Sequence, residues 1–210
     1  MNTFSGSECI KWGWETFKKR PWFFIGVTVL VVIVSGICSA IGNAFGSQEP
    51  GQSIGTIVNF LLGTFVGLGL TAFYLKAHDM PDTVQSGTLW HPTSYLSYLG
   101  AKLLTGLVVV IGLILLIVPG VILGMMFLFS SYIVVDKHLG PIEAMTESKR
   151  ITAGHKLNLF GFFLLVLLLN IVGAICLLVG LLVTIPVTGL AFVHAYRTLA
   201  GTVRTSSATA

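Results

Sequence analysis

Few residues in this chain could do chemistry, and they are scattered. The 210 positions hold five histidines, three cysteines and eight acidic residues. His78, His91, His138 and His155 fall in connecting segments beside Asp79, Asp136 or lysines, where ordinary surface histidines account for them. Cys9, Cys38 and Cys176 form no CxxC pair and stand at no metal-ligand spacing from a histidine. Cys38 and Cys176 lie in apolar runs, where a cysteine behaves as a small hydrophobe. The sequence has no HExxH, no G-x-S-x-G, no P-loop and no paired acidic motif within an apolar run. It therefore assigns no catalytic residue, no cofactor and no metal ligand, and it points away from an enzyme.

His194 is the exception. It is the one ionisable residue deep in a long apolar block, and such residues are functional candidates by default. Nine residues separate it from Ile185, roughly 14 Å at helical rise. Asn59 lies at a similar depth on an earlier block. Asn170 is deeper by roughly 9 Å and is a poor direct partner. His194 and Asn59 thus form a candidate intramembrane polar site. The expectation is a neutral histidine facing the bundle and hydrogen-bonded, with Asn59 the best partner. A proton-linked role is the rival.

The elements that must position these residues are membrane spans. Apolar residues make up 54% of the chain and charged residues only 10%, too few to cover a soluble domain of this size. Residues 21–48, 50–75, 103–135 and 157–196 carry no charged side chain. A span needs about 20 apolar residues, so all four qualify. As single helices the last two would reach roughly 50 and 60 Å, well beyond a hydrocarbon core of about 30 Å. Each contains a proline break, at Val118-Pro119-Gly120 and at Thr184-Ile185-Pro186. Proline disfavours helix at the preceding residue and suits the opening of the next one. Pro119, Gly120 and Pro186 are therefore read as structural hairpin tips. Lys18, Lys19 and Arg20 precede the first block as in a signal peptide. That block is longer than the 7–15 residue core of a signal, and Glu8 and Glu15 precede it, so it is read as a span.

The spans expected are about 21–45, 53–78, 94–118, 119–136, 156–183 and 186–203. Charge supports that count. With six spans, all 12 Lys and Arg residues fall on one side or near span ends facing it, while Glu49 is the only charge opposite. Positive residues mark the cytoplasmic side, so both termini are expected there. The net charge of +4 is read as topology charge, not as a nucleic-acid surface. Trp12, Trp14, Trp22 and Trp90 sit at expected boundaries, as tryptophan does.

Two shorter helices are expected between the spans. Residues 5–19 place Ile10, Trp14 and Phe17 on one stripe and Lys11, Glu15 and Lys18 on another, as in a helix lying in the interface plane. Ser5 and Glu8 have capping-box spacing. Residues 141–153 open on Pro141 and Glu143, and Glu147 and Arg150 form an i, i+3 pair. Aligning Glu8 with Glu143 without gaps makes the two segments counterparts. The endings Phe73-Tyr74-Leu75-Lys76 and His194-Ala195-Tyr196-Arg197 are also alike. Three degenerate outward-and-back repeats follow from these matches. Gly42/Gly46, Gly63/Gly67 and Gly120/Gly124 fit GxxxG and are expected to pack helices within the chain.

The run Leu115 to Leu123, centred on Pro119-Gly120, resembles the proline-glycine hairpin of a broad set of uncharacterised prokaryotic six-span membrane proteins. These are similar to the membrane domain of some glycerophosphoryl diester phosphodiesterases. Asp136, Gly140, Pro141, Glu143, Ala144, Met145, Ser148 and Gly154 resemble the loop and helix that follow in that set. The resemblance covers roughly 95–200 and implies a fold. The phosphodiesterase activity does not carry over, because the soluble domain that would perform it is not in this sequence.

The sequence therefore describes an all-α integral membrane protein. Six transmembrane helices form three hairpins, with two short cytoplasmic amphipathic helices. It divides into an interfacial helix (1–20), a membrane domain (21–203) and a short tail (204–210). A prokaryotic cytoplasmic membrane is the expected location. The function expected is a non-enzymatic accessory or envelope-organising module, with a small-molecule or lipid transporter as the alternative. Expected partners are membrane lipids and other membrane proteins or a second copy, with no nucleic acid.

Overall fold

A computed structural model describes residues 4–45, 51–79, 95–175 and 180–208 of the chain. The expectations for Glu49, Trp90, His91 and Cys176 fall outside the described residues. The described residues are all helix and connection, without a strand. The helices are α1 (Gly6–Lys19), α2 (Pro21–Phe45), α3 (Gly51–Asp79), α4 (Tyr95–Leu115), α5 (Ile117–Met126), α6 (Ser130–Lys137), α7 (Pro141–Thr152), α8 (Lys156–Ile175) and α9 (Leu181–Ala208). Six stretches are long and apolar enough to cross a membrane: Pro21–Ala44, Gly55–Asp79, Tyr95–Leu115, Ile117–Lys137, Lys156–Ile175 and Leu181–Gly201. Large side chains such as Val32, Ile33, Ile37, Leu107 and Leu168 point outward from them. In water those faces would be untenable; hydrocarbon suits them. The chain is a multi-pass membrane protein.

Consecutive long helices pack in pairs, α2 on α3, α4 on α5 and α8 on α9. Both proline tips lie elsewhere than the sequence suggests. The chain leaves α4 at Leu116, whose backbone is extended (φ −165°, ψ 144°), and Pro119 sits inside the first turn of α5. Pro186 likewise falls within α9, which starts at Leu181. First-turn N–H groups have no intrahelical partner, so Pro119 costs little there. Pro186 lies beyond the first turn of α9, and the helix runs on through it. Small residues set the close approaches. A Cβ on Gly112 would come 2.9 Å from the Gly120 Cα, and one on Gly173 would come 2.6 Å from the Thr184 hydroxyl. In the GxxxG pairs, Gly42 receives Asn59 and Gly120 receives Leu113, whereas a Cβ on Gly63 or Gly124 would meet nothing.

The fourth span is not one helix. It breaks at Phe127–Phe129, between α5 and α6. Lipid offers no hydrogen bonds, so a break at membrane depth must be satisfied by protein. Helix α7 does this. Its Ser148 hydroxyl donates to the Met126 carbonyl (2.8 Å) and accepts from the Phe129 N–H (3.3 Å). The Thr152 hydroxyl, which donates mainly to the Ser148 carbonyl (2.8 Å), also lies 3.3 Å from the Met126 carbonyl. Helix α7 is fastened further by Glu147, whose carboxylate takes Lys137 at 2.7 Å and Arg150 at 2.9 Å. Burial works against the Glu147 charge, but hydrogen bonds from Lys137 and Arg150 outweigh it and hold the carboxyl below its ordinary range.

Helix α1 also docks. Its buried residues are Cys9, Gly13, Thr16 and Phe17, packed against α9 and α8. Of the expected stripe, Phe17 is buried, Ile10 is half-buried and Trp14 is 44% exposed. The reason is close packing. A Cβ on Gly13 would lie 2.6 Å from the Val187 carbonyl oxygen, so the helix turns its small side chains to the bundle. Burial and the Glu8 charge push the Cys9 thiol up to about 11. The Ser5 hydroxyl pairs with Ser7 at 3.0 Å and caps nothing. In the alignment of Glu8 with Glu143, Cys9 meets Ala144, Gly13 meets Ser148, Thr16 meets Ile151 and Phe17 meets Thr152. All of these are buried, so the two helices dock in one register.

Replacing Ser148 with Ala should leave the Phe129 N–H without its acceptor and the Met126 carbonyl with one long bond. We expect a loss of about 1–3 kcal/mol, read by thermal unfolding in detergent. Wild-type stability in Ser148→Ala would mean that α7 does not repair the break.

Candidate functional site

Polar side chains from four helices converge at the end of the bundle that carries the charged segments. Helix α3 ends in His78-Asp79, α6 carries Asp136 near its end, α9 brings His194, Tyr196 and Arg197, and α1 adds Trp12. The Arg197 guanidinium spans two carboxylates. Its Nη2 lies 2.6 Å from Asp79 Oδ2 and 2.8 Å from Asp136 Oδ1, and its Nη1 donates to Asp136 Oδ2 at 2.9 Å. The Tyr196 hydroxyl donates to that same Asp136 oxygen at 2.7 Å. A planar guanidinium suits this fork, where a lysine would reach one acid at a time.

Beside the fork stands an aromatic stack. The Trp12 ring lies 4.6 Å from His194 at an interplanar angle of 12°, and 4.5 Å from His78 at 34°. His78 Nε2 meets His194 Nδ1 at 3.2 Å, and His78 Nδ1 meets Asp79 Oδ1 at 3.2 Å. One of the two facing imidazole nitrogens must donate and the other accept, so they share a single proton on that edge. An aspartate, two imidazoles and a tryptophan thus form a continuous file from the ion pairs to α1.

The expected partnership of His194 with Asn59 is not what the structure places. His194 meets His78, whose sequence position suggested an ordinary surface histidine. Asn59 instead donates to Asn43 of α2 at 3.4 Å. Asn170 donates to the Val166 carbonyl one turn back at 2.9 Å. Thr28, Thr64 and Thr71 also return to carbonyls one turn earlier, so much of the polarity within the spans is spent locally. Arg197, read from sequence as a topology charge, proves to be the centre of the cluster. Its position four residues inside the last apolar helix was the available signal, since a cation there needs a partner.

A second feature lies away from this cluster. A groove of about 460 Å³ opens between α3, α4, α6 and α9. Lys102, Tyr98, Thr71, Ser131, Tyr132 and Thr188 are among the residues that line it. The Tyr98 and Thr71 hydroxyls pair at 3.3 Å, and the Lys102 ammonium stands 5.7 Å from the Tyr98 ring centre. Among the described residues no group of three or more histidine, cysteine or acidic side chains could hold a metal.

His194→Leu should leave a folded protein whose stability falls by about 1–2 kcal/mol, because His78 loses its hydrogen-bond partner and Trp12 its flattest stack. Thermal unfolding in detergent checks this, and an unchanged midpoint would show that the stack contributes nothing.

The family described as Domain of unknown function (DUF7847) matches residues 83–209, more than half of the chain, and the chain belongs to it. The matched stretch holds Lys102, Asp136, Ser148, His194 and Arg197. More distantly, the chain is similar to an uncharacterized protein of Mycobacterium bovis (Mb2590) and to one of Mycobacterium tuberculosis (Rv2560). Each is 25% identical over 230 aligned residues that cover 94% of this chain and 69% of the relative. No solved structure matches the chain.

Proposed function

We propose that this membrane protein is a non-enzymatic accessory or envelope-organising module. In this reading its spans form three outward-and-back hairpins with both termini in the cytoplasm. The observation that carries it is how the ionisable side chains are used. Arg197 joins α3, α6 and α9 through Asp79 and Asp136, and Glu147 ties α7 to α6 through Lys137. These groups hold helices together. Docking of α1 and α7 in the same register adds to the picture of a scaffold assembled from repeated units. The orientation follows from the one-sided distribution of lysine and arginine. Likeness to the membrane domain attached to glycerophosphoryl diester phosphodiesterases is consistent with a supporting role.

Transport of a lipid or small molecule is the second reading, and the groove beside Lys102 favours it. His194 and Asn59 contribute to neither reading as a joint site, since they stand apart.

Reconstitution of single-cysteine variants in a cysteine-free background tests both readings. Cysteines at positions 49 and 178 should react with an impermeant maleimide only from outside, and one at 149 only from inside. Labelling of position 149 from outside would overturn the orientation. The same vesicles should lose fluorescent-lipid signal to dithionite no faster than protein-free vesicles. Faster loss would favour transport.

A further inference from the structure

We propose that the groove between α3, α4, α6 and α9 binds the phosphate headgroup of an anionic phospholipid that enters sideways from the bilayer. This site rests on the multi-pass membrane reading and gives the module a specific lipid partner.

Among the described residues, Lys102 is the one charged residue lining the groove. It lies seven residues into α4, roughly 10 Å along the helix from Tyr95, within a span. Among the described residues it forms no ion pair, unlike Lys137 and Arg197, which have carboxylates at 2.7 and 2.6 Å. A cation held at that depth without an anion is costly, so the position calls for one. The groove offers what a phosphate needs beside the charge. Tyr98, Ser131 and Tyr132 line the same space and bring hydroxyls to it, while the Thr71 and Thr188 hydroxyls there donate to the Gly67 and Ile185 carbonyls; an acidic side chain is not among the lining residues. Ammonium and hydroxyl donors around phosphate oxygens make charge-assisted hydrogen bonds.

Shape and surroundings choose a lipid over a soluble anion. A volume of about 460 Å³ takes a headgroup and leaves the acyl chains outside. Lys102 itself is exposed, and its neighbour Leu103 is 52% exposed, so the mouth borders apolar surface. Leu107 on α4 and Phe60 on α3 continue that surface. Gly67 keeps the mouth open. A Cβ there would stand 3.3 Å from the Tyr98 hydroxyl and 3.8 Å from the Lys102 ammonium. A larger side chain at 67 would therefore project toward the space the phosphate needs.

Native mass spectrometry of the full chain, released from nanodiscs of equal phosphatidylglycerol and phosphatidylcholine, tests the site. Wild-type protein should retain phosphatidylglycerol in about tenfold excess over phosphatidylcholine. Lys102→Gln should bring the ratio close to one, and Lys102→Arg should preserve most of it. Gly67→Leu should abolish the preference with the lysine intact, which covers the case in which Lys102→Gln fails to fold. Equal retention of the two lipids by wild type, or an undiminished preference in folded Lys102→Gln, would overturn the proposal. Release of the bound lipid by excess inorganic phosphate would assign the site to a soluble anion and overturn it equally. Cysteine labelling of the same variants reports the topology separately. A normal labelling pattern with no lipid preference would sink this site and leave the module reading standing.

Discussion

The Arg197 guanidinium holds the carboxylates of Asp79 and Asp136, and through them α9 is tied to α3 and α6. Two of the helix pairs contribute α3 and α9 to this contact, and α6, which continues the fourth span beyond α5, supplies Asp136. Helices in lipid gain nothing from burying apolar surface against one another, since the solvent is as apolar as they are. Polar contacts and close packing must therefore fix how the pairs sit together. The two arms differ in weight. Asp136 is 16% exposed and takes both guanidinium nitrogens and the Tyr196 hydroxyl, whereas Asp79 is 43% exposed. Screening by water weakens the Asp79 arm, so the Asp136 arm dominates. Asp79 also braces His78, and the stack of His78, His194 and Trp12 extends the tie to α1.

The need to satisfy every backbone group in lipid explains the other unusual feature. A span broken at Phe127–Phe129 would be intolerable if lipid touched it. Phe129 and Ser130 are instead buried, and the hydroxyls of Ser148 and Thr152 serve the broken turn. Helix α7 is thus packed into the bundle against the broken turn, although its composition suggests a helix beside it. The corresponding positions of α1 carry Gly13 and Phe17, which fit its closer approach to an unbroken helix.

The sequence made the long helices legible because hydrocarbon imposes length and composition directly, and the two amphipathic helices because their charges keep helical spacing. What it obscured has specific causes. Pro119 marks its break only approximately because proline is tolerated throughout a first turn, and Pro186 stands inside a helix that continues through it. The break at Phe127–Phe129 has neither glycine nor proline, and only the distant Ser148 explains it. On α1 large side chains dominate the amphipathic pattern, while the small buried Cys9 and Gly13 set its packing on the bundle. His78 and His194 are far apart in sequence and carry no motif that joins them. The groove draws on four helices at once, and within the sequence only Lys102 hints at it.

Arg197 and Asp136 act as one joint. A double-mutant cycle with Arg197→Met and Asp136→Asn, read by unfolding in detergent, measures that coupling most directly. The two single variants should each be destabilised, and the double variant should be less destabilised than their sum, with a coupling on the order of 1–3 kcal/mol. Strictly additive losses would mean that the two residues act separately and that the bundle is held together by something else.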